Sequence, residues 1–231
     1  MGAHPHGWWI LLHLVLFVFW LGGDLGVYVS SRYVLRADLP FAARSTALQI
    51  MGALDLGPKI CLVLFLPSGI TLMALDPHGA PGLLNGWTAA AAWAAAGCWL
   101  RLTVADHHHP GRRPWVRRAD WTVRITLTGA LLATGVYTLL APEPFGVDTH
   151  PKWLGAKVAL YALAIACGLG LRLRLRPFGP AFTALAKDGS TPATERALRA
   201  AVNGCVPYVA GIWCCVLAAA ALGVLKPGAR L

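Results

Sequence analysis

The chain has 231 residues, of which 57% are hydrophobic and only 13% are Asp, Glu, Lys or Arg, against about 25% charged residues in ordinary soluble domains. Its mean hydropathy is +0.58, and long apolar intervals separate clustered charges, a pattern that excludes a soluble enzyme. The formal net charge of +10 does not point to nucleic acid either, because the basic residues sort by loop instead of forming one patch.

Six apolar intervals approach the length needed to cross a bilayer as a helix, at about 8–29, 52–74, 87–105, 121–141, 152–172 and 204–225. The expected fold is therefore an all-α, polytopic membrane bundle of about six transmembrane helices, forming a single integral membrane domain over the whole chain. The first interval has no Lys or Arg before it and no clean small-x-small cleavage site after it, so it reads as a retained helix.

That first helix carries polar groups. At 100° per residue, His13, Phe17, Trp20, Asp24 and Ser31 fall on one stripe about 60° wide. His13 and Asp24 are separated by roughly 16 Å along the axis. Ionisable side chains inside a membrane face a partner or a cavity, so this stripe is expected to point into the bundle. The loop that follows holds Arg32, Arg36 and Arg44.

In the second interval, Asp55 and Lys59 are spaced to pair along one face, and Pro58 between them removes a backbone donor. A basic connection after the third interval holds Arg112, Arg113, Arg117 and Arg118, with Arg101 at the helix edge and His107, His108 and His109 beside it. Arg124 opens the fourth helix and Lys157 lies near the start of the fifth. Two tiers result: His13 and Lys157 at one end, and Asp24, Asp55, Lys59, Arg101 and Arg124 at the other. Lys157, Arg124 and Arg101 also have the length to snorkel to headgroups.

The stretches SGITLMALDPHGAPGLLNGW (68–87) and TGVYTLLAPEPFGVDTHPKW (134–153) echo one another, which suggests that helices 2–3 and 4–5 are a duplicated hairpin. The longest polar connection, RLRLRPFGPAFTALAKDGSTPATERALRAA, contains a helix start at Ser190 or Thr191, with Pro192 and Glu195 following. A short surface helix is expected there, its arginines set at anionic headgroups. The second connection has no Lys or Arg, and the fourth has only Lys152. By the positive-inside rule, both termini lie outside an inner (cytoplasmic) membrane. Lys226 and Arg230 oppose this mildly.

All six cysteines (Cys61, Cys98, Cys167, Cys205, Cys214 and Cys215) fall in predicted helices without a CxxC pair, and read as small apolar packing residues. His4, His6, His78 and His150 are rim histidines. No Walker, GxSxG, HExxH or Rossmann fingerprint has a supporting context.

Several segments together resemble a known group. The LH of the first helix, with Trp seven residues after the His and then GG, resembles the first helix of HemJ-type membrane protoporphyrinogen oxidases and of CopD-like copper-resistance membrane domains. GPKICLVLFLPSGI is similar to that group's second helix, KWLGAKVALY to its W-x-x-x-K third helix, and ERALRAAVNGCVPYVAGIWCCVLAAAALGVLKP to its last. About half the chain is covered, in the group's order. The resemblance implies a membrane protein that binds b-type haem, with His13 as axial ligand, Lys157 or an arginine such as Arg124 on a propionate, Trp20 beside the site, and an oxidoreductase activity. Asn203, Pro207, Lys226 and Pro227 match the last helix. The group's Pro-Arg after the Trp is missing here, Arg32 being the nearest arginine, and no histidine ends the fifth helix.

Two other readings stand beside haem. His4, His6 and His13 would collect copper, with Asp24, Asp55 and Lys59 as a polar relay in a metal or solute transporter. Only Met1, Met51 and Met73 would supply thioethers for Cu(I). Alternatively, the chain is a structural subunit whose polar residues bind neighbouring helices, in a homo-oligomer or with a partner membrane subunit.

Overall fold

The computed structural model describes residues 5–76, 83–108, 112–146 and 152–227. His4, His78, His109, His150 and Arg230 lie outside them. The described residues form α-helices with no strand: α1 (Pro5–Val34), α2 (Phe41–Leu75), α3 (Gly86–His108), α4 (Pro114–Leu140), α5 (Lys152–Arg174), α6 (Phe178–Asp188), α7 (Pro192–Asn203) and α8 (Val206–Leu225). Inside a bilayer every backbone N–H and C=O must be satisfied within the segment, which is why such apolar sequence becomes helix.

Among the described residues, five helical stretches are long and apolar enough to cross a membrane; they contain α1, α2, α4, α5 and α8. The 23-residue α3 is rich in Ala and Trp and less apolar, yet it packs between α2 and α4. The long helices follow one another around the bundle, α1 on α2, α2 on α3, α3 on α4, α4 on α5 and α5 on α8. Their shared core includes Leu16, Trp20, Leu62, Val63, Trp99 and Ile165.

α4 and α5 approach closely because both are glycine at the crossing. A Cβ on Gly135 would lie 2.8 Å from the Gly155 carbonyl oxygen, and one on Gly155 would lie 2.8 Å from Thr138 Cβ. Small residues of this kind let membrane helices meet backbone to backbone. The position equivalent to Gly135 in the echoed hairpin, Gly69, faces His13 of α1 instead. The two hairpins thus use their shared glycine against different neighbours.

α2 begins about three turns before the interval expected from hydropathy. At 35 residues it is roughly 52 Å long, well beyond a hydrocarbon core of about 30 Å. Its early turns pack with the polar connection, which folds as the helix pair α6–α7 and not as a single surface helix. Val34, Phe178, Ala181, Leu185, Leu198 and Val202 make a second core there, and Phe41 meets Phe182 at 5.4 Å. α7 starts as its sequence indicates: Thr191 is the N-cap, Pro192 follows it, and Thr191 and Thr194 form a reciprocal capping box.

Arg44, expected in a loop, is 2% exposed. It donates to both carboxylate oxygens of Glu195 (Nη1–Oε1 2.6 Å, Nη2–Oε2 3.1 Å) and through Nε to the Val34 carbonyl at 2.8 Å. One guanidinium therefore ties α1, α2 and α7 together. Arg44 holds the Glu195 carboxyl below its usual range. A carboxyl depressed in the folded state stabilises the fold fully above its unfolded pKa and loses that contribution as pH falls through the folded value. The melting temperature of the detergent-solubilised protein is expected to drop as pH falls below about 4.3, with a shallower drop in Glu195→Gln. Arg44→Ala is expected to cost roughly 3 kcal/mol, since it leaves a carboxylate without its partner.

Candidate functional site: a lone histidine above a buried ion network

The stripe on α1 faces inward as its periodicity requires. Trp20 is 2% exposed and Ser31 is buried, while His13, Phe17 and Asp24 are half-buried. The stripe enters two polar tiers separated by an aromatic layer.

The arginine-poor tier is built around Pro67, inside the continuous helix α2. Pro67 has no N–H, so the Val63 carbonyl loses its usual donor and the helix loosens locally. One residue on, Ser68 Oγ donates to the Phe65 carbonyl at 2.9 Å. With its proton committed there, Ser68 Oγ accepts from His13 Nδ1 at 2.8 Å. The proton of the neutral imidazole is thereby assigned to Nδ1, and Nε2 carries the lone pair. His13 Nε2 is buried and has no hydrogen-bond partner. The Phe65 ring covers the imidazole at a centroid distance of 4.0 Å.

Lys157 joins this tier from α5, half-buried and electrostatically within reach of His13. Room for its ammonium comes from Gly223 of α8, where a Cβ would lie 2.7 Å from Nζ. His6, two turns before His13, also has a buried Nδ1 without a partner. Trp9 and Trp93 meet at 5.6 Å on this side of the bundle, and Trp93 Nε1 donates to Thr71 Oγ1 at 2.9 Å.

Below lies the aromatic layer. Trp20 stands edge-on to Phe65 at 5.6 Å and to Tyr161 at 6.3 Å, and the Tyr161 hydroxyl donates to the Leu62 carbonyl at 2.6 Å.

The arginine-rich tier centres on Asp120, which is 0% exposed and was not singled out by hydropathy. Its Oδ1 accepts from Trp99 Nε1 at 3.0 Å and Thr103 Oγ1 at 3.2 Å. Its Oδ2 accepts from Arg124 Nε at 2.9 Å and Arg172 Nη1 at 2.7 Å. Arg124, 3% exposed, lies 5.2 Å over the Trp99 ring. Its Nη2 is buried without a partner. Arg172 also reaches Asp106 at 3.8 Å.

A smaller group sits alongside. Lys59 pairs with Asp55 as the spacing indicates, and His107 Nδ1 is 3.9 Å from the same carboxylate. Asp24 interacts electrostatically with Asp55 and with the Trp20 indole one turn earlier. Arg101, expected in this network, is exposed on the outer face of α3. It lines an open surface recess with Leu100, Val104 and His108. Its position on α3, between the buried Trp99 and Thr103, turns it away from both.

Asp120 was hidden by its flank. It follows four arginines and precedes the apolar run, so hydropathy starts the helix after it, whereas Pro114 starts the helix two turns earlier. The available signal was the four-residue spacing of Asp120 and Arg124 in RRADWTVR, the same spacing that identified Asp55 and Lys59.

No family model, curated protein or solved structure matches the chain. The likeness to HemJ-type and CopD-like proteins thus stands on the quoted residues alone.

Asp120→Asn leaves two guanidinium groups without their shared counter-charge. It is expected to destabilise the bundle by roughly 3–5 kcal/mol, the cost of breaking a buried ion pair, read as a lowered melting temperature in detergent.

Proposed function

We propose that this is a haem-binding protein of the cytoplasmic membrane, with both termini outside and His13 as the residue that would hold the haem iron. The observation that carries the reading is the His13 imidazole itself: Nδ1 is anchored to Ser68 while Nε2 is buried and bare. Metal-ligating histidines are oriented in this way, by a hydrogen bond from the nitrogen that does not bind the metal. A buried lone pair without a donor is otherwise a cost.

Haem suits this donor set better than a free copper ion does. The macrocycle supplies four nitrogens, so one protein ligand suffices. Among the described residues, no group of three His, Cys, Asp or Glu side chains comes together to hold a metal ion. His6 lies two turns from His13, about 10 Å of rise, and brings no third donor with it. Lys157 would offer its ammonium to a propionate, and Phe65, Trp20 and Tyr161 would keep water from the ligand. Bound haem supplies one-electron redox chemistry; Ser68 fixes the ring that faces it. The sorting of arginines between loops supports the orientation.

The test is a reduced-minus-oxidised visible spectrum of protein purified after expression with ample haem. Soret and α-bands are expected in the wild type and in Asp120→Asn, and absent in His13→Ala. Ser68→Ala, which frees the ring without removing it, is expected to retain haem with a shifted reduction potential. A colourless wild-type protein would overturn the reading.

A further inference from the structure

The arginine-rich end holds another polar feature, separate from the Asp120 network. An open cleft of about 490 Å³ lies where the end of α1 and the turn after it meet α7, lined by Arg32, Leu35, Arg36, Asp38, Arg199 and Asn203. Three guanidinium groups face one carboxylate there, so the lining carries a surplus of two positive charges.

The donors are only partly used. Arg32 Nη1 donates to Asn203 Oδ1 at 2.9 Å, and its guanidinium lies 4.6 Å over the Tyr28 ring. Both contacts fix the group in place. Its Nε is buried and has no acceptor. Arg36 is paired with Asp38, with Nε–Oδ1 at 3.2 Å and Nη2–Oδ2 at 2.6 Å. Arg199 makes no hydrogen bond or ion pair among the described residues, although its charge is felt by Glu195. The cleft therefore presents a held guanidinium with a spare buried donor, and a second, unpaired one.

We propose that this cleft binds the phosphate of an anionic phospholipid. Guanidinium groups match phosphate oxygens in geometry and charge, and basic pockets beside membrane helices take anionic lipid headgroups. The helix that carries Arg32 in its last turn favours a lipid over a free phosphate ion. At 100° per residue, Leu14, Val18, Leu25 and Val29 fall within about 60° of Arg32 on α1, and all four are exposed. They form an apolar strip running roughly 27 Å up to the guanidinium. Acyl chains lie along that strip while the phosphate rests at its end. The proposal is independent of haem at His13, and either can fail without the other.

The experiment uses the full chain in neutral detergent. Phosphatidylglycerol, phosphatidylcholine and inorganic phosphate are added separately, and binding is read by native mass spectrometry and melting temperature. Phosphatidylglycerol is expected to stay bound and raise the melting temperature, with no comparable effect from the other two. The double variant R32Q/R199Q is expected to weaken phosphatidylglycerol about tenfold or more, while R112Q/R113Q, which removes equal charge from the same end outside the cleft, leaves it unchanged. R199Q alone breaks no internal bond, keeps the fold, and is expected to weaken binding severalfold. An equal loss in R199Q and R112Q/R113Q would mean diffuse attraction and overturn the site. A wild-type response to inorganic phosphate as large as that to the lipid would overturn the lipid assignment.

Discussion

The Asp120 carboxylate is the point at which the lower half of the bundle becomes one object. Four donors from three helices converge on it: Trp99 and Thr103 from α3, Arg124 from α4 and Arg172 from α5. In a low-dielectric interior a charge is tolerated only when paired and fully hydrogen-bonded, and the two arginines have the same need. The arrangement gives little net stability over an apolar core of the same shape. Its effect is on specificity, since a slip of any of these helices by one turn would strand a charge. α3, which is not among the five span-like stretches, is fixed in this way by Trp99 and Thr103 as well as by hydrophobic contact.

The same logic operates outside the spanning region. Arg44 bridges the end of α1, the early turns of α2 and the start of α7 by satisfying a carboxylate and a backbone carbonyl at once. α6 and α7 bury one face against those turns, leaving Arg196 and Arg199 exposed. The basic end of the molecule is therefore a small folded cap, and its remaining guanidinium groups are held at defined positions.

What hydropathy and periodicity disclose is what depends on one segment at a time. The inward stripe of α1, the Asp55–Lys59 pair and the Thr191 cap all follow from spacings within a single helix. Arg44 escaped because its carboxylate partner lies 151 residues away, and Asp120 because three of its four donors lie on other helices, 17 to 52 residues off; both also sit in charge-rich stretches that resemble loops. Arg101 failed for the converse reason. Its type and depth matched Arg124, but its place on α3 aims it outward, and only the packing of α3 between α2 and α4 decides which face is inside. The haem resemblance has the same limit: it singles out His13, whereas the orientation of the ring comes from Ser68, 55 residues distant.

The two tiers differ in what their polar groups have left to offer. At Asp120 both carboxylate oxygens are fully engaged, and the carboxylate has no capacity for a ligand. At His13 one nitrogen is engaged and the other is not, although the surrounding Phe65 and the neighbouring Trp20 and Tyr161 provide no water-like donor. The orphaned atoms of the two tiers therefore differ in kind: at the arginine-poor end it is an acceptor, the bare Nε2 of His13, and at the arginine-rich end a donor, Nη2 of Arg124.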